Sequence, residues 1–360
     1  METGMISICI ITKNESERIG KCLERLVPLG YEIVVADTGS TDDTKQIALK
    51  FTDKVYDFEW VDDFSAARNF CASKAFNNFI FVLDSDEYLF EFNKKWVESN
   101  LKKYPNHIGE IQINNLVGTT DVNALTNVDT SYVPRIYNKK LYHFEGIVHE
   151  QIESISNIKK LPIEAFPVTV EHVGYIQTLE QKKIKAQRNI ALLEKQLRTG
   201  KDKEYTMYQI GNTYVYEKDY IRGYAYLKAT LDFDLDPKKD WVLDLMITYM
   251  IVLQELKLYD EALQIIGVYD AFDYSSDFLY EMGQIYRLTN NPDQAIEEYK
   301  KATKIKTSLV DGKNSYMSYY SIGAIYYEKG DMENAKLYFK KALPFEMAKD
   351  SLEIIKNQEN

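Results

Sequence analysis

The chain has 360 residues, 45% of them hydrophobic, and a formal net charge of −11 at pH 7. That length allows two domains with cores of their own, and the apolar fraction excludes wholesale disorder. The acidic balance, with a pI near 5.1, excludes a general nucleic-acid binder, which needs a basic face.

Met5 to Ile11 reads as a buried strand, followed by the polar Thr12-Lys13-Asn14-Glu15. An amphipathic helix is predicted from about Ser16 to Val27, broken by Pro28 and Gly30. Tyr31 to Ala36 is a second strand ending at Asp37, and the acidic loop through Asp42 and Asp43 suits the start of another helix. A short strand around Lys54–Asp57 comes next, then a helix capped by Asp62 or Asp63 that carries Arg68 to about Lys74. From Asn78 an apolar run forms the fourth strand and delivers Asp84 and Asp86 to its end.

Strand alternating with helix implies an α/β domain with a mainly parallel sheet flanked by helices. Such sheets bind ligands beyond the carboxyl ends of their strands, where Asn14, Glu15, Asp37, Asp84 and Asp86 all fall. Two acids one residue apart repel unless a cation lies between them, and a divalent ion carrying a diphosphate would relieve that repulsion. An acidic loop without a ligand is the alternative. Neither Gly-x-Gly-x-x-Gly nor Gly-x-x-x-x-Gly-Lys-Ser/Thr is present, so a diphosphate here would need a metal in place of a glycine cradle.

Residues 92–104 read as a surface helix, and short β segments follow near 108–114, 131–137, 142–154 and 166–171. His143, His149 and His172 lie in this stretch. His172 follows an apolar strand, and its imidazole reads either as a ligand for a divalent ion or as a hydrogen-bonded structural group. Glu150 beside His149 reads either as a general base or as half of a buried ion pair. Cys9, Cys22 and Cys71 sit singly in apolar or amphipathic segments and read as reduced core thiols. No apolar run approaches the roughly 20 residues needed to cross a bilayer. With no basic segment at residues 1–5, the expected location is the cytoplasm, without an integral membrane segment.

Ile-Ile-Thr-Lys-Asn-Glu, Val-Val-Ala-Asp-Thr-Gly-Ser-Thr-Asp-Asp-Thr, Phe-Ser-Ala-Ala-Arg-Asn and Leu-Asp-Ser-Asp-Glu, in that order, resemble the family 2 glycosyltransferases of GT-A fold. Phe-Glu-Gly-Ile-Val-His-Glu and Glu-His-Val-Gly-Tyr resemble a bacterial subgroup whose catalytic domain precedes tetratricopeptide repeats, which includes the sublancin-type peptide S-glycosyltransferases. The resemblance covers roughly residues 5–195. It implies inverting transfer from a nucleotide diphosphosugar, usually a UDP-sugar, with Mn²⁺ or Mg²⁺. It also implies that Asp37 accepts from the base, that Asp84 contacts ribose or sugar, and that Asp86 and His172 hold the ion. Asn14 and Glu15 would line the nucleotide pocket, with Thr12, Ser40 and Ser85 from the same motifs in the donor-binding set. Arg68 would brace this site or face the diphosphate. Glu150 is the candidate base with Glu87 behind it, because the Glu-Asp pair that serves much of the family is not found in the matching stretch.

From about residue 178 the pattern is helical throughout. Gly283, Tyr286, Ala295, Tyr299 and Ala302 recur forty residues on as Gly323, Tyr326, Ala335, Phe339 and Ala342. Fainter copies hold Gly211, Tyr214, Gly223 and Leu227, and Leu253, Ala262 and Ile266. Small residues at helix crossings with aromatics in the grooves look like tetratricopeptide repeats, and this explains the chain's 28 tyrosines. The expected domains are therefore 1–177, a connecting helix over 178–204, and repeats over 205–360. Lys182, Lys183 and Arg188 on that helix either reach the diphosphate or form a solvated face. A concave repeat surface suits an extended peptide, and dimerisation through the repeats or simple stabilisation are the alternatives. The sequence thus predicts a metal-dependent glycosyltransferase acting on a protein or peptide side chain. A glycan or lipid-linked acceptor, or a nucleotide-binding scaffold without catalysis, stands as the alternative.

Overall fold

The computed structural model describes residues 4–117, 127–156, 158, 160–173, 179–200 and 202–358. Gly174 and Tyr175 of one motif, the first residue of the expected connecting helix, and the side chain of Lys182 lie outside the described residues. The chain divides into two compact units, Met1–Gln196 and Leu197–Asn360. No described helix is long and apolar enough to cross a membrane.

In the first unit the order is β1 (Ile6–Thr12), α1 (Ile19–Leu26), β2 (Glu32–Asp37), α2 (Thr44–Ala48), β3 (Val55–Asp57), α3 (Phe64–Lys74), β4 (Phe79–Asp84), β5 (Glu87–Phe92) and α4 (Lys94–Lys103). Then come β6 (Ile108–Val117), β7 (Asn127–Asn138), β8 (Tyr142–Glu145), β9 (Gln151–Ser154), β10 (Ile163–His172) and α5 (Leu179–Thr199). Eight strands form one sheet in the order β3-β2-β1-β4-β7-β6-β10-β5, and β8 and β9 form a separate hairpin. The β3, β2, β1, β4 half is parallel. Beyond it β7 is antiparallel to both neighbours, β10 parallel to β6, and β5 antiparallel to β10. The sheet is therefore mainly parallel, as expected, with β7 and β5 as its two reversed strands.

Ile6, Ile8, Ile10, Val35, Phe81 and Leu83 are buried on the face covered by α1, whose Ile19, Cys22, Leu23 and Leu26 pack there. Cys9, Val34, Ile80 and Val82 alternate onto the other face with Cys71 and Ala72 of α3. These runs are apolar on both faces because helices cover both. Asp63 caps α3, accepting from the Ala66 N–H at 2.9 Å, as a short acid at a helix start should.

Only Ser85 and Asp86 separate β4 from β5, yet the two strands lie four positions apart in the sheet. Four inter-strand spacings total about 19 Å, whereas three Cα steps reach at most about 11 Å. The sheet must therefore curl until β5 returns to the end of β4. That curl brings the carboxyl end of β10 to the acidic link. The last turns of α5 pack on the first unit, where Gln196 Oε1 accepts from the Ile147 N–H at 2.8 Å and Lys195 donates to the Val61 carbonyl at 3.0 Å.

The second unit stacks α6 (Lys203–Tyr216), α7 (Tyr220–Thr230), α8 (Asp240–Glu255), α9 (Tyr259–Gln264), α10 (Ser276–Leu288), α11 (Pro292–Ala302), α12 (Tyr316–Glu328), α13 (Met332–Lys341) and α14 (Glu346–Gln358). The helices cross at the glycines singled out by the repeat. A Cβ on Gly283 would meet the Tyr299 ring, one on Gly323 the Phe339 ring, and one on Gly211 the Leu227 side chain. The copy around Ala262 departs from the pattern: α9 is short and runs into a 3₁₀ segment, Ile265–Ala271.

Candidate functional site

The carboxyl edge of the parallel half gathers its polar residues through strand register. Thr12 and Asp37 are direct partners across β1 and β2, and Asp84 on β4 stands opposite Ile11. Asp37 Oδ1 accepts from the N–H groups of Gly39 (2.9 Å) and Ser40 (2.7 Å). Asp37 Oδ2 and Thr12 Oγ1 are buried without a partner. Buried polar atoms are normally paired, so two unpartnered oxygens on adjacent register positions fit a bound group that donates hydrogen bonds.

The walls of this corner are local. Asn14 adopts a left-handed backbone (φ 53), which asparagine tolerates. Its N–H donates to Ser40 Oγ (2.9 Å), and its Oδ1 accepts from the Thr41 N–H (2.8 Å). The Glu15 N–H donates to Thr44 Oγ1 (2.7 Å). Burial raises the Glu15 carboxyl above its ordinary range against the pull of Arg18, its ion-pair partner at 2.9 Å. Thr12, Asn14, Glu15, Asp37 and Ser40 thus come together.

Arg68, Asp84, Glu87 and Glu150 form a second group, with Arg135 as its unforeseen member. Arg68 bonds Asp84 Oδ1 through Nη2 (2.9 Å) and Glu150 Oε1 through Nε (2.5 Å). Arg135 Nη2 reaches Asp84 Oδ2 (3.2 Å) and Glu87 Oε1 (2.6 Å). Glu87 Oε2 accepts from the Asp84 N–H at 2.9 Å. Charges alternate along the ladder Glu150, Arg68, Asp84, Arg135, Glu87. Burial alone would raise the Asp84 carboxyl, but the two guanidiniums hold it well below the usual range. Glu87 is only 2% exposed, and burial pushes it up to about 7 against Arg135.

Asp86 meets His172 across the curled edge. In register His172 lies between Glu87 on β5 and Asn115 on β6. Its Nε2 is 3.3 Å from Asp86 Oδ2, and its Nδ1 is 3.0 Å from Asn115 Oδ1. The Asn115 amide is oriented by donation from Nδ2 to Ser131 Oγ at 3.2 Å, which leaves Oδ1 to take the Nδ1 proton. A neutral imidazole then turns a bare Nε2 toward a carboxylate, an arrangement that needs a proton or a cation between them. Burial lowers the His172 pKa, but the Asp86 hydrogen bond and charge override it and leave it raised. A carboxylate and an imidazole are a donor set that fits Mn²⁺ or Mg²⁺ as well as a proton. Among the described residues no group of three or more His, Cys, Asp or Glu side chains is arranged to hold a metal ion. Further ligands would come from a donor phosphate or water.

Ser85 is buried in the link between the two acids. His149 adopts a left-handed backbone (φ 54), and burial lowers its pKa. His143 pairs with Glu145 at 3.0 Å. On α5, Lys183 and Arg188 are exposed, and the Arg188 guanidinium lies over the Phe64 ring, 5.4 Å from its centroid. Sequence reasoning missed Arg135 and Asn115. The trace each left is a polar residue inside a β segment, in Tyr-Val-Pro-Arg-Ile-Tyr and Gln-Ile-Asn-Asn-Leu.

Residues 7–149 match the family model described as glycosyl transferase family 2. Residues 276–308 and 318–343 match tetratricopeptide repeats. A TPR repeat-containing protein of Synechococcus elongatus is 29% identical over 235 residues, covering 63% of this chain and 57% of that protein. The SPbeta prophage-derived glycosyltransferase SunS of Bacillus subtilis is 30% identical over 237 residues, covering 64% of this chain and 54% of SunS. The chain thus spans little more than half the length of these relatives. Among solved structures, that of MamA covers 49% of this chain and 98% of its own, with a TM-score of 0.39 and 24% identity. The chain carries a family 2 glycosyltransferase domain in its first unit and tetratricopeptide repeats in its second.

Proposed function

We propose that the chain is an inverting glycosyltransferase that moves a sugar from a nucleotide diphosphosugar, a UDP-sugar in the first instance, to a protein or peptide side chain. The observation that carries this reading is the sheet edge itself. The unpartnered oxygens of Thr12 and Asp37 and the Asp86–His172 pair lie at the carboxyl ends of strands in a family 2 domain, where such sheets bind ligands.

The base donates to Asp37 Oδ2 while Asn14, Glu15 and Ser40 wall the nucleoside. Asp84 gives one lone pair of each oxygen to arginine and keeps the others for hydroxyls of the ribose or sugar. Arg68 Nη1 is buried without a partner, and its N–H serves a phosphate or sugar oxygen. Asp86 and His172 would hold Mn²⁺ or Mg²⁺, which would supply positive charge to offset that on the departing diphosphate. Both Glu87 oxygens are engaged, so the general base is Glu150. It takes the acceptor proton as the acceptor atom bonds to the anomeric carbon on the face opposite the leaving diphosphate. Stacked helix pairs of the second unit offer an extended surface on which a peptide lies.

Incubation with each common UDP- and GDP-sugar plus Mn²⁺ tests this reading, with released nucleotide as the readout. Slow donor hydrolysis, abolished by EDTA and by Asp86→Ala, is the expected result. Failure to bind any donor would replace the reading with a scaffold lacking catalysis.

A further inference from the structure

We propose that Arg135 is a positioning residue of the donor site: through Oδ2 it fixes the Asp84 carboxylate in the orientation that receives the donor. The inference rests on the reading that Asp84 faces the donor. Its first support is backbone geometry. Across β6 and β7, Ile136 stands opposite Gly109 and Pro134 opposite Glu110, so Arg135 is the extra residue of a β-bulge. Across β4 and β7 the pairing reaches Ile136 opposite Phe81 and goes no further toward Asp84. Arg135 therefore belongs to neither ladder. Bulges gather beside active sites because they re-aim a side chain, and Pro134, which has no N–H to give, is tolerated in a strand at such a point.

The second support is the pattern of contacts at the end of that side chain. Arg135 is 9% exposed, and its Nη2 holds Glu87 Oε1 at 2.6 Å and Asp84 Oδ2 at 3.2 Å. Glu87 is itself pinned, because Oε2 accepts from the Asp84 N–H. It anchors the guanidinium, and the guanidinium sets the carboxylate. Arg68 grips the opposite oxygen, Oδ1, at 2.9 Å. Two cations, one on each oxygen, fix the plane of a carboxylate that stands at a strand end, which a single ion pair would leave free to rotate about its side-chain bonds.

The competing account is that Arg135 merely neutralises Glu87. Arg135→Met alone does not separate the two, because it leaves Glu87 buried without its partner. The double variant Arg135→Met with Glu87→Gln removes that unpaired charge while still releasing Asp84. In the full chain we expect the double variant to regain most of the melting temperature that the single variant loses. Its KM for the donor should stay raised by about tenfold or more, the scale of one lost charge-assisted hydrogen bond. Recovery of KM together with melting temperature would overturn the proposal. A crystal structure of the double variant gives a readout that needs no substrate: Asp84 should leave its Arg68-bound orientation, and an unmoved carboxylate would overturn the proposal equally. If the unmodified chain turns over no donor, the proposed function fails, and the position of Asp84 alone decides the role of Arg135.

Discussion

Replacing Gly283 with alanine sets two effects of opposite sign against each other. In an open helix the change gains about 1 kcal/mol of helix propensity. Here the new Cβ would stand 2.6 Å from Tyr299 Cε1, and the same change at Gly323 would stand 2.7 Å from Phe339 Cδ1. Carbon atoms pack at about 3.5–4.0 Å. Tyr299 and Phe339 are 0% and 2% exposed, so neither ring can swing into solvent, and the paired helices must move apart by about 1 Å to restore that spacing. Overpacking of this kind costs about 1–3 kcal/mol. It outweighs the propensity gain by about 1 kcal/mol at each glycine, or about 2–4 °C in a unit of this size. Gly267 is the control, because nothing lies within 4 Å of its Cβ position, and alanine there should be neutral or stabilising. Thermal unfolding followed by far-ultraviolet circular dichroism measures all three variants and the Gly283/Gly323 double, whose losses should add. A raised midpoint at Gly283 or Gly323, like that at Gly267, would mean that the helix pairs do not cross at these glycines.

Two further predictions concern the first unit. Arg68→Met leaves Asp84 and Glu150 without their shared cation; breaking a buried pair costs about 3–5 kcal/mol, or roughly 6–20 °C, and a loss under about 2 °C would contradict the ladder. Glu32 predicts an acid limb. Burial raises its pKa, but Lys54, Ser7 and the Phe76 N–H together bring it below its ordinary 4.5. A depressed carboxyl stabilises the fold above the unfolded-state pKa and loses that contribution as pH falls through its folded value. The melting difference between the unmodified chain and Glu32→Gln should therefore be largest near pH 6 and shrink by about pH 3, and a constant difference would refute the assignment.

The parts of the fold that were legible in the sequence are those fixed by neighbours along the chain. Continuous apolar runs marked β1, β2 and β4, a short acid marked the start of α3, and a forty-residue recurrence marked the helix crossings. β5 was missed because Glu-Tyr-Leu-Phe-Glu-Phe reads as the tail of an acidic loop. Its strand character comes from pairing with β10, which the sequence does not display. β7 was seen as a β segment, but not its place between β4 and β6, where Pro134 argues against a central strand until the bulge is known. That insertion is one of the two reversals in the mainly parallel sheet. The same distinction holds at the site. Asp37 and Asp84 end strands, Asp86 follows one closely, and all three were readable as such, whereas Arg135 and Asn115 acquire their roles only through non-local register. The division between the two units falls after Gln196, within the expected connecting helix, and the late turns of α5 make hydrogen bonds inside the first unit, a tertiary fact that composition does not carry.

The central claim is that Asp86 and His172 hold an ion that joins a nucleotide to this sheet edge. Calorimetric titration of UDP into the full chain, with and without Mn²⁺, tests it most directly. Mn²⁺ should tighten UDP binding by about tenfold or more, a coupling of about 1.4 kcal/mol, and Asp86→Ala and His172→Ala should each abolish that coupling. UDP affinity that is the same in all three proteins with and without the ion would contradict the account.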